Sequence, residues 1–594
     1  MPTSFRLLVI CLFLILTGCT IFQSGPTPPP TPPPQPPPPP PPIVLEIAYW
    51  QAPTMLNPHL SASAKDLGAS RITYEPLATF NDQGELIPFL AAEIPSLENG
   101  GVASDGLSVT WNLRRDVRWA DGQPFTADDV LFTFEFVTNP EVQSASAGVY
   151  SGVEQVEVMD DYTVRVHFKT VNPAWNVPFV GIRGMIIPRH VFQDYLGANA
   201  REAPANLLPV GTGPFYATEN EPQEVLFLGD NMVQTYRIVF ERNPYFREAG
   251  KPYVDRVILK AGGLPAEAAR LVLEAGEADF AWNLTLPPDQ LNQMETAGGQ
   301  GQLVVSFGAR VDRLLLNRTD PNRATTDGER SNLQFPHPFF NDLRVREAIS
   351  LAIDRERVAA LYGVTGRVAS NNLVVPPQYA SPNTAFRYDP AGANTLLDQT
   401  GWIDHDGDGF RDKDGATMKV VYQTSLDALL QQTQAIVKEN LEAVGIEVEL
   451  RPVEASVFFS RSSPDSVFYF AADIQEFFIG MVNPDPGAYM VYWTCAQIPQ
   501  QVNSWSAGLN IERYCNPDYD TLYQQSTTEL DPEHRQQLFI QMNDILINDV
   551  VMIPLVHLAE VSAVSNQVTG IAPTPWDSVL WNIKDWQKRD DRQN

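Results

Sequence analysis

The sequence predicts an α/β protein, because segments with the patterns of strands and of helices alternate along the chain. Strand patterns, in which apolar and polar residues alternate, cover Ser108–Arg114, Tyr162–Phe168 and Glu447–Val453. Helix patterns cover Thr126–Phe136, Val345–Tyr362 and Ser425–Val444. The first of these helices begins at a threonine suited to cap it, with acidic residues in its first turn. The last leads directly into the strand at 447, which is an α-then-β unit typical of this class.

The composition indicates a large folded protein with an acidic surface. The chain has 594 residues, of which 44% are hydrophobic and 10% aromatic, and its 41 Lys and Arg against 71 Asp and Glu give a formal net charge of −30. At about 100–200 residues per domain, this length predicts roughly three to five folding units. Binding of phosphate groups needs clustered cations, so the charge excludes nucleic acid and an anionic membrane surface as the main partner.

The first 18 residues have the pattern of a secretory signal peptide. Arg6 is followed by an apolar run over 7–16, which is too short to span a bilayer as a permanent helix. The segment ends in Leu16-Thr17-Gly18-Cys19, which resembles the bacterial lipobox. We therefore expect lipidation of Cys19, which would anchor an extracytoplasmic protein at the outer face of the cytoplasmic membrane. An ordinary signal peptide with an incidental cysteine is the alternative.

Residues 19–42 predict a stalk between this anchor and the folded body. Fourteen of the 17 residues from Pro26 to Pro42 are proline. Such a segment adopts polyproline II at about 3.1 Å per residue, which gives a reach of roughly 50 Å. A ligand for a proline-recognising domain is the alternative. No later stretch has 18 consecutive apolar residues, so no further membrane-spanning helix is predicted.

Two of the four cysteines are left for the folded body. Cys11 belongs to the signal peptide and Cys19 to the anchor, which leaves Cys495 and Cys515. Outside the cytosol we expect this pair to form a disulfide. Two buried thiols are the alternative. A zinc site is disfavoured because no second Cys or His pair has ligand spacing.

An ordered series of motifs resembles one known family over residues 45–565. The motifs are Tyr74–Leu77, Pro88–Ala92, Trp111–Val130, Gly211–Phe215, Arg242–Phe246, Lys251–Arg256, Glu274–Asp279, Asn341–Ile349, Ala352–Asp354, Tyr388–Gly409 and Asp531–Pro554. The series is similar to the family 5 extracellular solute-binding proteins, the peptide and nickel receptors of bacterial ABC importers. Each motif alone is ordinary turn or cap chemistry, and we expect most of these residues to build the scaffold.

The resemblance implies a two-lobed periplasmic-binding-protein-like clamp with an extra α/β subdomain. Lobe one would comprise 43–80, 208–305 and 550–594, the extra subdomain 81–207, and lobe two 306–549. The ligand would lie between the lobes, which close by a hinge. Interfaces between domains are also where concave sites usually form.

By the same resemblance, three segments approach the ligand. The loop Leu56–His59 is similar to a first-lobe loop that is followed by peptide-contacting positions, here Ala62 and Ala64. Trp282 and Asn283 end a strand that reaches towards the cleft, and the third segment is 477–486. A loop around 508–510 is similar to a family loop near the ligand. The expected ligand-binding residues are Tyr49, Ala62, Ala64, Trp282, Asn283, Phe478, Val482, Asn483, Asp485 and Asn510.

The third segment departs from the pattern of peptide receptors, in which an aspartate three residues after a tryptophan pairs with the ammonium group of the peptide. Alignment on Asp485-Pro486 places Val482 at the aspartate position and Ile479 at the tryptophan position, and alignment one dipeptide earlier places Gly480 there. A buried ammonium group without a counter-charge is costly. The departure therefore leaves other ligands open, such as a sugar, an opine-like compound, an antibiotic or a metal chelate. A loop shift that brings Asp485 to the ammonium-binding position is the alternative.

An acidic segment resembles a calcium loop. Asp404, Asp406 and Asp408 stand at alternate positions, with Gly409 at the sharp turn. The twelfth position is Gly415 where an EF-hand needs a bidentate glutamate, so a full EF-hand loop is excluded. We expect no cofactor, with weak calcium binding by the three aspartates as the alternative to a solvated hairpin.

No catalytic constellation is visible in the sequence. It has no GxSxG, HExxH, Walker A or CxxC motif, so we do not expect an enzyme. The resemblance implies a lipid-anchored protein that captures a small solute, peptide or peptide-like, and delivers it to an ABC permease with cytoplasmic ATPases. We expect a monomer. The alternative is a surface hydrolase or a sensory receptor on the same fold.

Overall fold

One mixed sheet of eleven strands runs through the body of the protein, seen in a computed structural model that describes residues 41–228, 231–505 and 508–589. The predictions of a signal peptide, of lipidation at Cys19 and of the stalk up to residue 40 lie outside the described residues. None of the helices in the described ranges is long and apolar enough to cross a membrane.

The strands fall into this large sheet and several two- or three-stranded pieces. In chain order they are β1 Val44–Tyr49, β2 Ala78–Phe80, β3 Leu86–Pro88, β4 Ser108–Asn112, β5 Val153–Asp160, β6 Thr163–Phe168, β7 Phe215–Leu228, β8 Asn231–Arg242, β9 Arg256–Ala261, β10 Phe280–Trp282, β11 Gly301–Leu316, β12 Gly366–Val368, β13 Asp412–Lys413, β14 Ala416–Thr417, β15 Lys419–Ser425, β16 Glu447–Val453, β17 Ile474–Ile479, β18 Met552–Ser565, β19 Val568–Thr569 and β20 Gln587–Lys588.

The α-helices are mostly short and lie between these strands. They are α1 Ala64–Ser70, α2 Ala127–Thr138, α3 Arg189–Phe192, α4 Pro265–Leu273, α5 Pro288–Gly298, α6 Leu343–Ala352, α7 Arg355–Tyr362, α8 Pro390–Gln399, α9 Ala428–Glu442, α10 Ala455–Phe458, α11 Gly487–Met490, α12 Pro517–Ser526 and α13 Pro532–Asn548.

The large sheet contains two groups of parallel strands, one in each lobe. Its strand order is β16-β15-β17-β11-β18-β10-β1-β9-β8-β7, with β12 added beside β18. Strand β1 is parallel to β9 and β10, and β15 is parallel to β16 and β17. The long antiparallel strands β11 and β18 lie between these groups, and their register shifts between Phe307 and Val311. The two halves are therefore joined by continuous strands.

The buried apolar residues form separate cores in the two lobes and in the extra subdomain. The core of the extra subdomain is built mostly from residues between 60 and 205. Strand β18 passes from one core to the next. Its residues Ile553 and Val556 pack in lobe two, whereas Val561 and Val564 pack in lobe one. The same strand therefore serves both lobes, and the lobe bounds, including the one that we placed at 550, stay a prediction.

Most of the elements predicted from the sequence are confirmed. Strands β4, β6 and β16 and helix α2 occupy the expected segments. In α2 the predicted cap Thr126 donates its backbone N–H to the Asp129 carboxylate at 3.0 Å. The disulfide between Cys495 and Cys515 is present, which confirms that prediction.

Two helix predictions were wrong in their bounds. The single helix expected over 345–362 is two helices, α6 and α7, because Ile353 is extended and the Asp354 carboxylate caps the second helix at Arg357 N–H, 3.0 Å away. The helix expected from Ser425 begins only after Asp427, whose carboxylate accepts from Leu429 N–H at 2.9 Å. In both cases a local carboxylate cap overrides the apolar periodicity.

Candidate functional site

A cavity of about 650 Å³ lies between the lobes and the extra subdomain. Its wall is built by parts of segments 62–67, 145–149, 177–183, 481–484 and 573–579, together with Phe80 and strand residues of the large sheet. Lobe two contributes the loop that follows β17 and, at its boundary, Ser306 of β11. A volume of this size lies within the range of small-ligand sites, about 300–1,000 Å³.

The structure brings six of the ten expected ligand residues to this wall. They are Ala62, Ala64, Trp282, Asn283, Val482 and Asn483. That these residues contact a ligand stays a prediction. The other four, discussed below, are placed elsewhere by specific contacts.

Trp282 lines the cavity and is held from behind by Tyr49. Strand β10 pairs in parallel with β1, which places these two residues opposite each other. Their rings stack with centroids 4.7 Å apart and an interplanar angle of 23°. Tyr49 itself is fully buried, and its burial raises the pKa of its hydroxyl. Gly68 leaves room for the tyrosine ring, because a Cβ there would lie 2.9 Å from the hydroxyl oxygen. Tyr49 therefore supports the wall from outside the cavity.

Asn283 follows at the end of β10 in a left-handed backbone conformation with φ of 47°. Its backbone N–H donates to the Ser562 hydroxyl at 3.1 Å. Its carbonyl accepts from the indole N–H of Trp50 at 2.8 Å. These two contacts hold a backbone conformation that is uncommon for a residue other than glycine, and they fix the position of Asn283 at the cavity.

Ala62 and Ala64 lie where a loop enters α1, a junction that the buried Asp66 organises. The Asp66 carboxylate accepts from the N–H of Thr54 at 2.7 Å and from its hydroxyl at 2.8 Å. It also accepts from the Ser61 hydroxyl at 2.6 Å. Because this carboxylate holds both ends of the loop, the two small side chains are presented to the cavity on a fixed backbone.

His59 ties the same loop to the extra subdomain. Its Nε2 lies 2.8 Å from the Met185 carbonyl oxygen, and its Nδ1 lies 3.2 Å from the Ser146 hydroxyl. The pKa of His59 is lowered to about 4, chiefly by burial; the hydrogen bond to the Met185 carbonyl opposes this shift, and the charge of the nearby Arg183 adds to it. The imidazole is therefore neutral at physiological pH and acts as a structural link.

Loop 481–484 is the main part of the cavity wall that belongs to lobe two. It follows β17, whose last carbonyl, at Ile479, accepts from the buried Arg313 guanidinium at 2.9 Å. Met481 packs against both the lobe-two core and the core of the extra subdomain. Val482, which took the position of the family aspartate in one alignment, is 85% exposed. The loop thus connects the lobes through apolar contacts.

Asp485 does not line the cavity. Its carboxylate binds both terminal nitrogens of Arg535 on α13, one of them at 3.0 Å, and both side chains are 10% exposed. Its Oδ1 also accepts from Gly487 N–H at 2.8 Å. The loop shift that would offer this carboxylate to an ammonium group is thus opposed by a buried ion pair.

Phe478 and Asn510 also lie outside the cavity wall. Phe478 is half exposed, with the Arg310 guanidinium 5.3 Å above its ring. Asn510 is fully buried and donates to the carbonyls of Thr494 and Tyr514 at 2.8 and 2.7 Å. These partners directly adjoin the two disulfide cysteines, so Asn510 holds the disulfide loop together.

Sequence reasoning missed several parts of the wall, among them segment 145–149 and two segments that bring charged or aromatic side chains. Segment 177–183 brings Arg183, and segment 573–579 brings Trp576 and Asp577. No motif distinguishes Arg183 in the sequence. The cue for the C-terminal segment was its density of proline and tryptophan, from Pro573 to Trp576, in a stretch without strand or helix pattern.

The acidic segment is arranged differently from an EF-hand. Carboxylate oxygens of Asp404, Asp406 and Asp412 lie within 4.8 Å of one another. Asp408 is not in this group, and its carboxylate accepts from Phe410 N–H at 2.8 Å. Asp412 replaces it because β13 and β14 fold back into a hairpin. Calcium binding at this segment stays a prediction.

Comparison with known proteins gives a consistent result over most of the chain. A family model described as bacterial extracellular solute-binding proteins, family 5 Middle, matches residues 85–499. The oligopeptide-binding protein AppA of Bacillus subtilis is 24% identical over 550 residues, which cover 90% of this chain and 89% of AppA. The nickel-binding periplasmic protein of Escherichia coli is 24% identical over 418 residues, covering 68% of this chain and 70% of that protein.

The fold is also similar to solved structures. HbpA2 from Haemophilus parasuis superimposes with a TM-score of 0.72 at 21% identity, covering 92% of this chain and all of that one. At this identity the likeness shows the fold, and it agrees with the mixed α/β architecture and the two-lobed clamp described above.

Proposed function

The chain belongs to family 5 of the bacterial extracellular solute-binding proteins, and on this premise we propose that it captures a small organic solute in the cavity and delivers it to an ABC importer. The observation that carries the proposal is the cavity itself, whose wall combines both lobes and the extra subdomain. A site built in this way changes when the lobes move, so occupation and lobe closure are linked. A closed, loaded form is what a permease could recognise.

The solute that the cavity favours is organic. The lining residues in the described ranges include aromatic, aliphatic and hydroxyl side chains but no His or Cys. These two residues are the usual ligands of nickel and similar transition metals. We therefore infer a peptide-like compound or a chelate carried by its organic part, in line with the relatives named for oligopeptide and for nickel.

We further propose that the protein works as a lipid-anchored monomer outside the cytoplasmic membrane. The lipobox-like sequence at Cys19 and the proline-rich stalk support this placement. A reach of roughly 50 Å would let the body meet a permease in the same membrane. The permease and its ATPases are the partners that the proposal requires.

The proposal is tested by purifying the protein under gentle conditions and identifying the retained solute by mass spectrometry. Calorimetry with the solute then measures affinity for the wild type and for Trp282→Ala, with Trp581→Ala, a tryptophan that does not line the cavity, as control. Retention of one solute class, with weaker binding only in the Trp282 variant, supports the proposal. Turnover of the bound solute would instead favour a hydrolase. A closed structure with a dry, empty interface would overturn transport binding.

A further inference from the structure

The cavity wall carries one positive charge that no acidic residue compensates. We propose that the transported solute bears a carboxylate, which binds Arg183, and that it lacks a free ammonium group. This inference rests on the proposed function and narrows its substrate class. Such a solute differs from a free peptide held by its ammonium group, for which segment 477–486 lacks the expected aspartate.

Arg183 reaches the cavity from a turn of the extra subdomain, after Gly181 with φ of 64°. Its terminal nitrogens donate to the carbonyls of Ser61 and Ala62, each at 3.3 Å. Both distances are at the long end for hydrogen bonds of this kind. None of the ion pairs among the described residues includes Arg183. The guanidinium is thus oriented by two backbone carbonyls and keeps its donor capacity for an anion.

The carboxylates near the cavity are already engaged. Asp577 lines the wall, but its Oδ2 accepts from Arg71 Nε at 3.1 Å and from the Thr79 hydroxyl at 2.6 Å. Arg71 and Asp577 are both buried as an ion pair, so their charges cancel. An ammonium group of a ligand would find no free partner there.

The remaining acidic lining residue, Glu560, lies at the exposed rim. Its side chain is 61% exposed and pairs with Arg310 at 3.5 Å. When Arg71 and Arg310 are counted with the two lining acids that they pair with, the charges at the wall sum to one positive unit, which is Arg183, in a chain whose formal net charge is −30. A cation would be expelled from such a site, whereas a carboxylate would be matched by a guanidinium in a partly dehydrated setting.

The neighbours of Arg183 favour an apolar body for this acid. Val180 and Ile182 flank it in sequence, and Trp282, Trp576 and Val304 line the same cavity. Apolar surface of this kind stabilises a ligand by burial without offering donors or acceptors for further charge. The combination fits a short apolar chain with one anionic end and a neutral or blocked amino end.

The test uses the full chain and one tripeptide, Ala-Val-Ala, with four combinations of end groups. These are the zwitterion, the acetylated acid, the acetylated amide and the free amine with an amide end. Titration calorimetry compares wild type with Arg183→Met, which keeps the length of the side chain. Arg201→Met, at an exposed position of the extra subdomain outside the cavity wall, controls for the change in net charge.

We expect the acetylated acid to bind wild type at least about tenfold more tightly than the acetylated amide, because charge-assisted hydrogen bonds to a guanidinium are strong. The Arg183→Met variant should lose this difference and Arg201→Met should keep it. Tightest binding by the zwitterion or the amine, or an unchanged acid preference in Arg183→Met, would overturn the proposal.

If no tripeptide binds, the solute retained from the producing cell decides the question. An amine-free acid identified by mass spectrometry supports the proposal, and an amine-bearing solute overturns it while the proposed function stands. Retention of nothing, together with no binding, would show that the proposed function itself is wrong.

Discussion

The Asp485 carboxylate forms a buried ion pair with the Arg535 guanidinium, immediately after the loop that lines the cavity. The pair joins the start of α11 to α13, because Asp485 also accepts from Gly487 N–H at 2.8 Å. Asp485, which the sequence predicted as a ligand-binding residue, therefore supports loop 481–484 instead. The solute must therefore be recognised by other side chains of the cavity wall.

Loss of this pair should reduce stability more than binding. We expect Asp485→Ala to lower the free energy of unfolding by about 3 kcal/mol, since it leaves a buried guanidinium without a counter-charge. Thermal unfolding followed by circular dichroism measures the change. Asp485→Ala combined with Arg535→Met should recover part of the loss. A variant with wild-type stability and abolished ligand binding would contradict this role.

The local elements could be predicted because neighbouring residues determine them. The alternation in β16 and the Thr126 cap of α2 are short-range signals, and both hold. The break between α6 and α7 was missed because Val345–Tyr362 is apolar at helical spacing on both sides of Asp354. Only the cap contact to Arg357 shows where the second helix begins.

The cavity could be predicted only in part, for the same reason. Trp282 and Ala62 lie on segments whose family resemblance is local in sequence. Arg183 and Trp576 meet them through the packing of segments almost 400 residues apart, which no periodicity records. The engagement of Asp485 by Arg535 is likewise a contact across 50 positions. Charge balance at the site therefore required the structure.

Trp282 should contribute stacking surface to the bound solute. We expect Trp282→Ala to weaken binding about tenfold or more, because a large aromatic wall is lost and Tyr49 behind it is left without its stacked partner. Trp282→Phe should retain most of the affinity. Calorimetry with the retained solute measures both variants. Equal affinity in Trp282→Ala and wild type would show that the solute occupies another part of the cavity.

The disulfide and Asn510 should stabilise the same loop by different means. Replacing Cys495 and Cys515 by serine should cost about 3 kcal/mol, as expected for a loop of this length, with a separation of 20 residues. Asn510→Ala should also destabilise, since three buried hydrogen bonds with Thr494 and Tyr514 are lost. Thermal unfolding with and without reductant separates the two. An Asn510→Ala variant of wild-type stability but weakened ligand binding would return this residue to the list of ligand contacts.

A buried pair of acids should make stability depend on pH. Asp312 on β11 and Glu476 on β17 are fully buried, and their carboxylates accept from the hydroxyls of Tyr362 and Tyr422 respectively. Burial raises the pKa of both acids, and for Glu476 the neighbouring Asp312 charge raises it further. One oxygen of each carboxylate, Oδ1 of Asp312 and Oε1 of Glu476, is buried and has no hydrogen-bond partner among the described residues.

The direction in which stability changes with pH follows from the raised pKa values in the folded state. Above about pH 4 the unfolded chain releases these protons while the folded protein retains them, so the folded state loses stability as pH rises. We compare the free energy of unfolding of Asp312→Asn with that of wild type at each pH. We expect the difference, variant minus wild type, to be larger at pH 8 than at pH 4 by more than about 1 kcal/mol. Exposed Glu98→Gln, with the same change in charge, should show no such trend. Thermal unfolding at several pH values measures the difference, and parallel curves for wild type and Asp312→Asn would show that the two acids titrate as they do in the unfolded chain.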